Sequence, residues 1–484
     1  MTTIPQATEA DLAPAAVPQG PPQIAIARSL QATGISYRSL LLFYLPLGFS
    51  GLMMTLDLPV VTGVLNRFPN PNTSVAALSV AFSLALVYEA SHISMIDAST
   101  ALSTDLHVFR MLQRFYAVMS AALLVVASAI AFSPLYDIIV RGLMKQSPDV
   151  AEAARPAVWA FLLWPIPIGW RRLCQGALIK HGHPKPVGAG GIVRLASLLL
   201  SLLFFAWLST NIVHIEPAAI GVLSMLLSVT AESAAVQGWT ARILKTIPAS
   251  TPGIAPTYGD IWRFVLPLSG TSIMSTLVQP TLRAGIAAAA IAWATTTIHA
   301  GAEAAGTVAV ASYQTAWSMA FLVFGPTLSM TQASIAWNSS HNRETRQRGS
   351  RLLVILGLGL AALMALASLT PFIGWLFANI IQAPPQTAAM AVDVTRWLIP
   401  MPILHSISFM LRGKQIAARN PKAVRRAQLI DLAAIALIIW LAASGPLLPL
   451  FHGAPAAPLA AAAYDLMLCV DITVLWWSLR RRIW

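Results

Sequence analysis

Apolar runs of about 20 residues or more recur from residue 39 almost to the end of this 484-residue chain. In hydrocarbon no water satisfies a bare backbone N–H or C=O, so only helices and closed barrels cross a bilayer. The runs are continuous rather than alternating, which selects helices over barrel strands. With 57% hydrophobic and only 10% charged residues, an ordinary soluble domain is excluded. The expectation is an all-α, polytopic membrane protein.

The runs resolve into roughly twelve spans: 39–65, 74–103, 113–142, 153–180, 187–208, 213–237, 261–290, 305–336, 351–380, 388–412, 423–445 and 453–479. They fall into two groups of six, 39–237 and 261–480. Between them, 238–260 carries Pro248, Pro252, Gly253, Pro256 and Gly259 and reads as a linker on the cytoplasmic face. Residues 1–38, rich in Pro, Gln, Ala and Thr, hold no signal-peptide core and read as a disordered cytoplasmic tail. Cys174 and Cys469 both fall inside apolar runs and behave as small hydrophobes, with no redox role.

Alternate loops differ sharply in charge. With the N-terminus inside, twenty-two Lys and Arg, among them Arg343, Arg346, Arg348, Arg351, Lys414 and Arg425, fall on the cytoplasmic side. The opposite loops hold four: Arg67, Arg141, Lys145 and Arg155. The bias places both termini in the cytoplasm and requires an even number of spans, in the cell (inner or plasma) membrane. The formal charge of +13 accordingly reports orientation and contact with anionic lipid rather than nucleic acid.

The two groups are copies. FYLPLGFSGLMMTLDLP at 43–59 returns 221 positions later as FVLPLSGTSIMSTLVQP at 264–280, sharing Pro46/Pro267 and Pro59/Pro280 but opposing Asp57 to Val278. Ser94-Met95-x-Asp97-Ala98-Ser99 answers Ser329-Met330-x-Gln332-Ala333-Ser334. Pro165-x-Pro167-Ile168 answers Pro400-x-Pro402-Ile403. Six spans per copy make the repeats parallel, related by an axis along the membrane normal. Matched prolines in both copies are candidate hinges for a rocking bundle, or static kinks.

Ionisable groups inside spans are costly and mark candidate sites, with pairing inside the bundle as the structural alternative. Asp57 precedes Pro59, which frees the Thr55 carbonyl, so the pair offers a proton or sodium site. Alternatively Asp57 faces water or pairs with Arg67. Glu89 and Asp97 are two turns apart with His92 between them, a face that lines a cavity and passes protons, unless Asp97 only caps its helix. Arg171 and Arg172 lie about 12–14 Å from the cytoplasmic end of their helix, and one of them pointing inward suits an anion. Their structural alternative is an ion pair with Glu89 or Asp97. Arg283, three residues after Pro280, sits at the central cleft or at an outer rim facing Glu303. Gln279 and Gln332 join the expected pathway. Arg194 and Glu232 lie within spans without an assigned role. Asp465 and Asp471 are read as structural, the latter reaching toward Arg480. No phosphate-binding loop, paired-histidine zinc motif or nucleophile elbow occurs, so neither an enzyme nor direct ATP drive is expected, and no cofactor beyond a coupling proton or sodium ion.

Pro46-Leu47-Gly48, the following acid, Leu65-Asn66-Arg67, Leu178-Ile179-Lys180-His181 and the repeated Pro267-Leu268 resemble the multidrug/oligosaccharidyl-lipid/polysaccharide (MOP) exporter superfamily. Within it the chain looks most like the progressive ankylosis family. The resemblance implies two six-helix bundles in a V, as in multidrug and toxic compound extrusion (MATE) proteins, and alternating-access export driven by an ion or solute gradient. It also implies a small anionic cargo such as pyrophosphate, nucleotide or citrate. A flippase for a lipid-linked oligosaccharide, a cationic multidrug exporter and a non-transporting membrane assembly protein are the alternatives. One chain supplies both halves, so a monomer is expected.

Overall fold

Two helix breaks fall 221 residues apart, at Leu56 and Leu277, each three residues before the repeated proline. Proline at the fourth position cannot donate to the turn before it, so the helix yields there in both copies. The computed structural model describes residues 36–103, 105–181, 183, 185–249, 257–297, 302–338, 342–418, 421–443 and 456–480. The expected tail, apart from its last three residues, and the middle of the linker lie outside them.

The first copy comprises α1 (Tyr37–Thr55) and α2 (Asp57–Leu65), which together make span 1, then α3 (Pro71–Leu102) and α4 (Leu106–Ala131). Span 4 is α5 (Pro148–Phe161) followed by α6 (Pro165–Lys180), and α7 (Lys185–Asn211) and α8 (Pro217–Leu244) complete the copy. The second repeats the plan: α9 (Tyr258–Thr276) with α10 (Val278–Thr297), then α11 (Ala302–Phe324) with α12 (Met330–Asn338). Then follow α13 (Arg343–Leu369), α14 (Pro385–Trp397) with α15 (Met401–Ala417), α16 (Pro421–Ala443) and α17 (Ala456–Arg480). Span 6 runs on to Leu244, through the first residues expected to be linker, because no proline intervenes before Pro248.

Local signals explain where these helices start. Proline stands at the first position of α3, α5, α8 and α14, where its missing N–H costs nothing. Asp105 accepts the Val108 N–H at 2.9 Å at the start of α4, and Thr257 and Asp260 form a reciprocal capping box at the start of α9. After the third span of each copy the chain makes a single turn of π-helix, Ile138–Leu143 and Leu376–Ile380. Each is followed by a left-handed residue, Lys145 (φ 53°) and Gln382 (φ 56°), 237 positions apart.

Among the described residues seven helices are long and apolar enough to cross a membrane singly. The pair α14 and α15, bent by 45° at Leu398–Pro400, makes an eighth. The remaining four spans are interrupted or charged: spans 1, 4 and 7 break at their prolines, and α16 begins with a basic turn. The result is an all-α, twelve-span membrane fold in two repeats. Aliphatic residues exposed on α4, α7 and α13, such as Val125, Leu203 and Leu366, face lipid. By contrast α3 and α11 are mostly buried, at the core where the halves meet.

That seam is pseudosymmetric. Span 1 packs on the 3-10 turn Gly325–Ser329 between α11 and α12, and α9 packs on α3. Tyr44 donates to the Pro326 carbonyl at 2.6 Å and Ser269 to the Ser91 carbonyl at 3.1 Å. At the opposite face from the termini, Ser147 meets Thr307 at 3.2 Å, and Thr387 donates to the Asn72 side chain. The halves therefore touch at both ends.

Matched prolines divide into two kinds. Pro165 opens α6 and Pro400 closes the bend before α15, with Pro167 and Pro402 buried in the following turn. Pro59 and Pro280 lie just past the breaks in spans 1 and 7. Pro46 and Pro267, by contrast, lie within unbroken helices, so the backbone does not break at them.

Candidate ion and solute pathway

The first copy encloses a network of buried charges. The break at Leu56 makes Asp57 the first residue of α2, and its buried Oδ1 has no hydrogen-bond partner among the described residues. It accepts from Arg194 Nε on α7 at 2.8 Å and also from Arg194 Nη2. Arg194 reaches on to Glu232 of α8, Nη1 to Oε2 at 3.6 Å. One turn of α6 closes the network: Arg171 meets Glu232 Oε2 at 2.6 Å and Gln175 donates to Oε1 at 3.4 Å. Their i,i+4 spacing puts both on one face. Gly190 lets α7 come close enough, since a Cβ there would stand 3.3 Å from Glu232 Cγ. Asp57, Arg171, Arg194 and Glu232 are all buried, and together they carry no net charge.

Arg172 differs from its neighbour. It is half-buried, its Nη2 meets only Met54 Sδ at 3.6 Å, and no carboxylate lies within ion-pair distance among the described residues. Its Nε is buried and has no hydrogen-bond partner among the described residues.

Glu89 and His92 turn to different partners. Glu89 accepts from Trp164 Nε1 at 2.9 Å, and His92 turns to Ser120 Oγ at 2.9 Å with its ring 5.8 Å from Tyr116. Neither pairs with an arginine: Arg171 takes Glu232 instead, the carboxylate that α8 brings to its face. Asp57 does not pair with Arg67, which donates to the Ile380 carbonyl at 2.9 Å and to Gly63. The side chains of Asp97 and Gln332 lie outside the described residues.

Arg283 is wholly buried in the seam and does not face Glu303, which is exposed at the start of α11. Its Nη1 donates to Gln279 Oε1 at 2.6 Å, its Nη2 to Gln314 Oε1 at 2.9 Å, and its Nε to Ser79. These neutral acceptors come from α10, α11 and α3, so one guanidinium ties both halves together.

The second copy repeats the buried cluster with different polarity. Ser408 and Arg412, again i,i+4, both reach Asp471 of α17, Arg412 at 3.1 Å. Asp431 of α16, 237 positions after Arg194, stands 3.5 Å from the same guanidinium. Asp471 thus pairs with Arg412, two spans earlier, rather than reaching Arg480. Two carboxylates facing one guanidinium leave one negative charge unbalanced when both are ionised, and Asp431 Oδ1 and Asp471 Oδ1 lack hydrogen-bond partners among the described residues. A proton or a monovalent cation is the chemistry such a site accepts. No motif in the sequence assigns a role to Arg194, Glu232, Asp431 or Arg412. The signal available is charge of both signs within the last three spans of each copy.

No protein-family model matches the chain, and no curated protein matches it either. Solved structures do resemble it. A MOP superfamily transporter from Pyrococcus furiosus, described as having reverse polarity of its binding pocket, is 14% identical at a TM-score of 0.65, covering 96% of this chain and 98% of the other. The MATE multidrug transporter DinF-BH, solved as a complex, is 16% identical at 0.64, covering 94% and 95%. An inward-facing multidrug resistance MATE transporter is 16% identical at 0.55, covering 95% and 97%. At these identities what is shared is the fold: this chain folds as the MATE transporters of the MOP superfamily do.

Proposed function

We propose that the protein is a secondary-active exporter working by alternating access, whose cargo is a small organic or phosphorylated anion. Arg172 is the observation that carries the cargo class. It is a half-buried guanidinium without a carboxylate partner beside span 1, while Arg171 next to it is neutralised by Glu232. Support for alternating access comes from the fold, two repeats meeting at a pseudosymmetric seam.

Coupling falls to Asp57. A proton on its carboxylate removes the charge that holds Arg194, which then turns wholly to Glu232, and span 1 is freed at its break. Reprotonation and cargo release are thereby linked through one helix. The progressive ankylosis family remains the subfamily whose cargo this charge pattern suits, in a cell membrane with both termini cytoplasmic and the protein a monomer.

A cationic cargo is the second reading, favoured by the unbalanced Asp431 and Asp471. Flux measurements in proteoliposomes decide between them. Labelled pyrophosphate, citrate and nucleotide are compared with amphipathic cations, with and without a pH or sodium gradient. Anion flux supports the proposal, cation flux alone selects the second reading, and movement of neither refutes transport.

A further inference from the structure

At the face where α1 starts and α17 ends, the start of α13 borders a cavity of about 750 Å³ together with the ends of α12, α15 and α17. Arg343, Arg346, Arg351 and Lys414 line it, with Asn338 and Gln347 between them and no carboxylate among the described residues of the wall. Among the described residues none of the four cations forms an ion pair. Glu344, the acid of the same turn, is held by Arg348, and Arg348 in turn lies over the Tyr37 ring. Four positive charges converging on one concavity repel each other unless an anion occupies it.

The helix below the cavity says which anion. Gln347, Arg351, Ile355 and Leu358 follow at i,i+4 and i,i+3 spacing and so share one face of α13. Ile355 is 56% exposed and Leu358 55%, on a span that is mostly unburied. The polar half of the stripe thus ends at Arg351, and the apolar half runs directly into the hydrocarbon. A soluble anion would use the cations alone, whereas an amphiphile meets both the cations and the aliphatic face.

We propose that this cavity binds the phosphate headgroup of an anionic phospholipid, with an acyl chain laid along Ile355 and Leu358. Basic pockets between spans at one leaflet take such headgroups by charge-assisted hydrogen bonds. Bound there, the lipid bridges spans 8, 9, 10 and 12 of the second half.

The test uses the purified full chain in detergent and does not depend on transport. Dioleoyl phosphatidylglycerol is expected to raise its melting temperature, and dioleoyl phosphatidylcholine at the same concentration is not. Arg346→Gln with Arg351→Gln is expected to weaken that protection at least tenfold in lipid concentration, whereas Arg242→Gln, on the same face outside the cavity, leaves it unchanged. Should the double variant fold poorly, each exposed arginine changed singly is expected to give a smaller shift in the same direction. Equal protection by inorganic phosphate or pyrophosphate would identify a soluble anion site and overturn the lipid assignment. Lipid protection unaffected by the variants would place the binding elsewhere.

Discussion

Asp57 on span 1 and Arg194 on span 5, 137 residues apart, form a doubly hydrogen-bonded ion pair sealed inside the first helical repeat. Truncating one partner of such a pair leaves the other charge buried and costs about 3–5 kcal/mol. Arg194→Ala is therefore expected to lower the melting temperature steeply. Asp57→Asn keeps an acceptor for Arg194, so it should stay folded, retain downhill flux and lose dependence on the imposed gradient. Flux with and without the gradient in the two variants checks this, and unchanged coupling in Asp57→Asn removes Asp57 from the mechanism.

Arg171 and Arg172 are adjacent in sequence and separate in role. Arg171→Gln strands Glu232 and should destabilise the protein, with Arg194 as its only remaining cation within reach among the described residues. Arg172→Gln removes no ion pair and should lower the melting temperature less than Arg171→Gln does. It should still weaken anion half-saturation by about 10–100-fold, the worth of one charge-assisted hydrogen bond. Paired melting and transport measurements separate the two.

Close approach of the halves rests on a glycine. A Cβ at Gly51 would run into the Gly325 carbonyl on the 3-10 turn that span 1 packs against. Gly51→Val is expected to keep span 1 off that turn and break the Tyr44 to Pro326 contact. Spin labels on Phe43 and Leu328 should then report a longer mean distance than in the unmodified protein.

The Arg283 contacts ask for a planar fork, since three acceptors from three helices surround it. Arg283→Lys is expected to restore little of the stability lost in Arg283→Ala, about 1–3 kcal/mol for the acceptors left unpaired. Full rescue by lysine would show that charge alone matters there.

At the start of α9, outside the hydrocarbon, hydrogen bonds from the Thr257 hydroxyl and backbone hold the Asp260 carboxyl below the usual carboxylate range. Its folded value is depressed, so the cap contributes above the unfolded value of about 3.9 and is lost as pH falls through the depressed one. Amide exchange at Thr257 and Asp260, corrected for intrinsic rates, should be constant at neutral pH and accelerate in acid. Asp260→Asn should abolish that dependence.

How much of this was legible in the sequence follows from which interactions are local. The repeat is written as a linear pattern, so its consequences surfaced at matching sites: breaks at Leu56 and Leu277, left-handed Lys145 and Gln382, bends after Leu162 and Leu398. Pro59/Pro280 and Pro165/Pro400 fall at helix breaks because a missing N–H acts within one turn, whereas Pro46 and Pro267 sit in unbroken helices. Pairing of charges is different. Asp57 lies 137 residues from Arg194, and Arg171 lies 61 from Glu232, and no spacing rule joins them. Electrostatics favours a partner for a buried charge, yet the choice of Glu232 over Glu89 for Arg171 depended on how α6 and α8 pack. His92 shows the same limit, since its partner Ser120 belongs to the next span.

One unneutralised guanidinium selecting an anion, while the neighbouring network couples its passage to a gradient, is the central claim. Counterflow of labelled pyrophosphate in proteoliposomes under an imposed pH gradient, compared across the unmodified protein, Arg172→Gln and Asp57→Asn, tests it most directly. Gradient-driven flux is expected in the first, loss of saturable anion flux in the second and gradient-independent flux in the third. Undiminished pyrophosphate flux in Arg172→Gln, or flux of amphipathic cations alone, would contradict it.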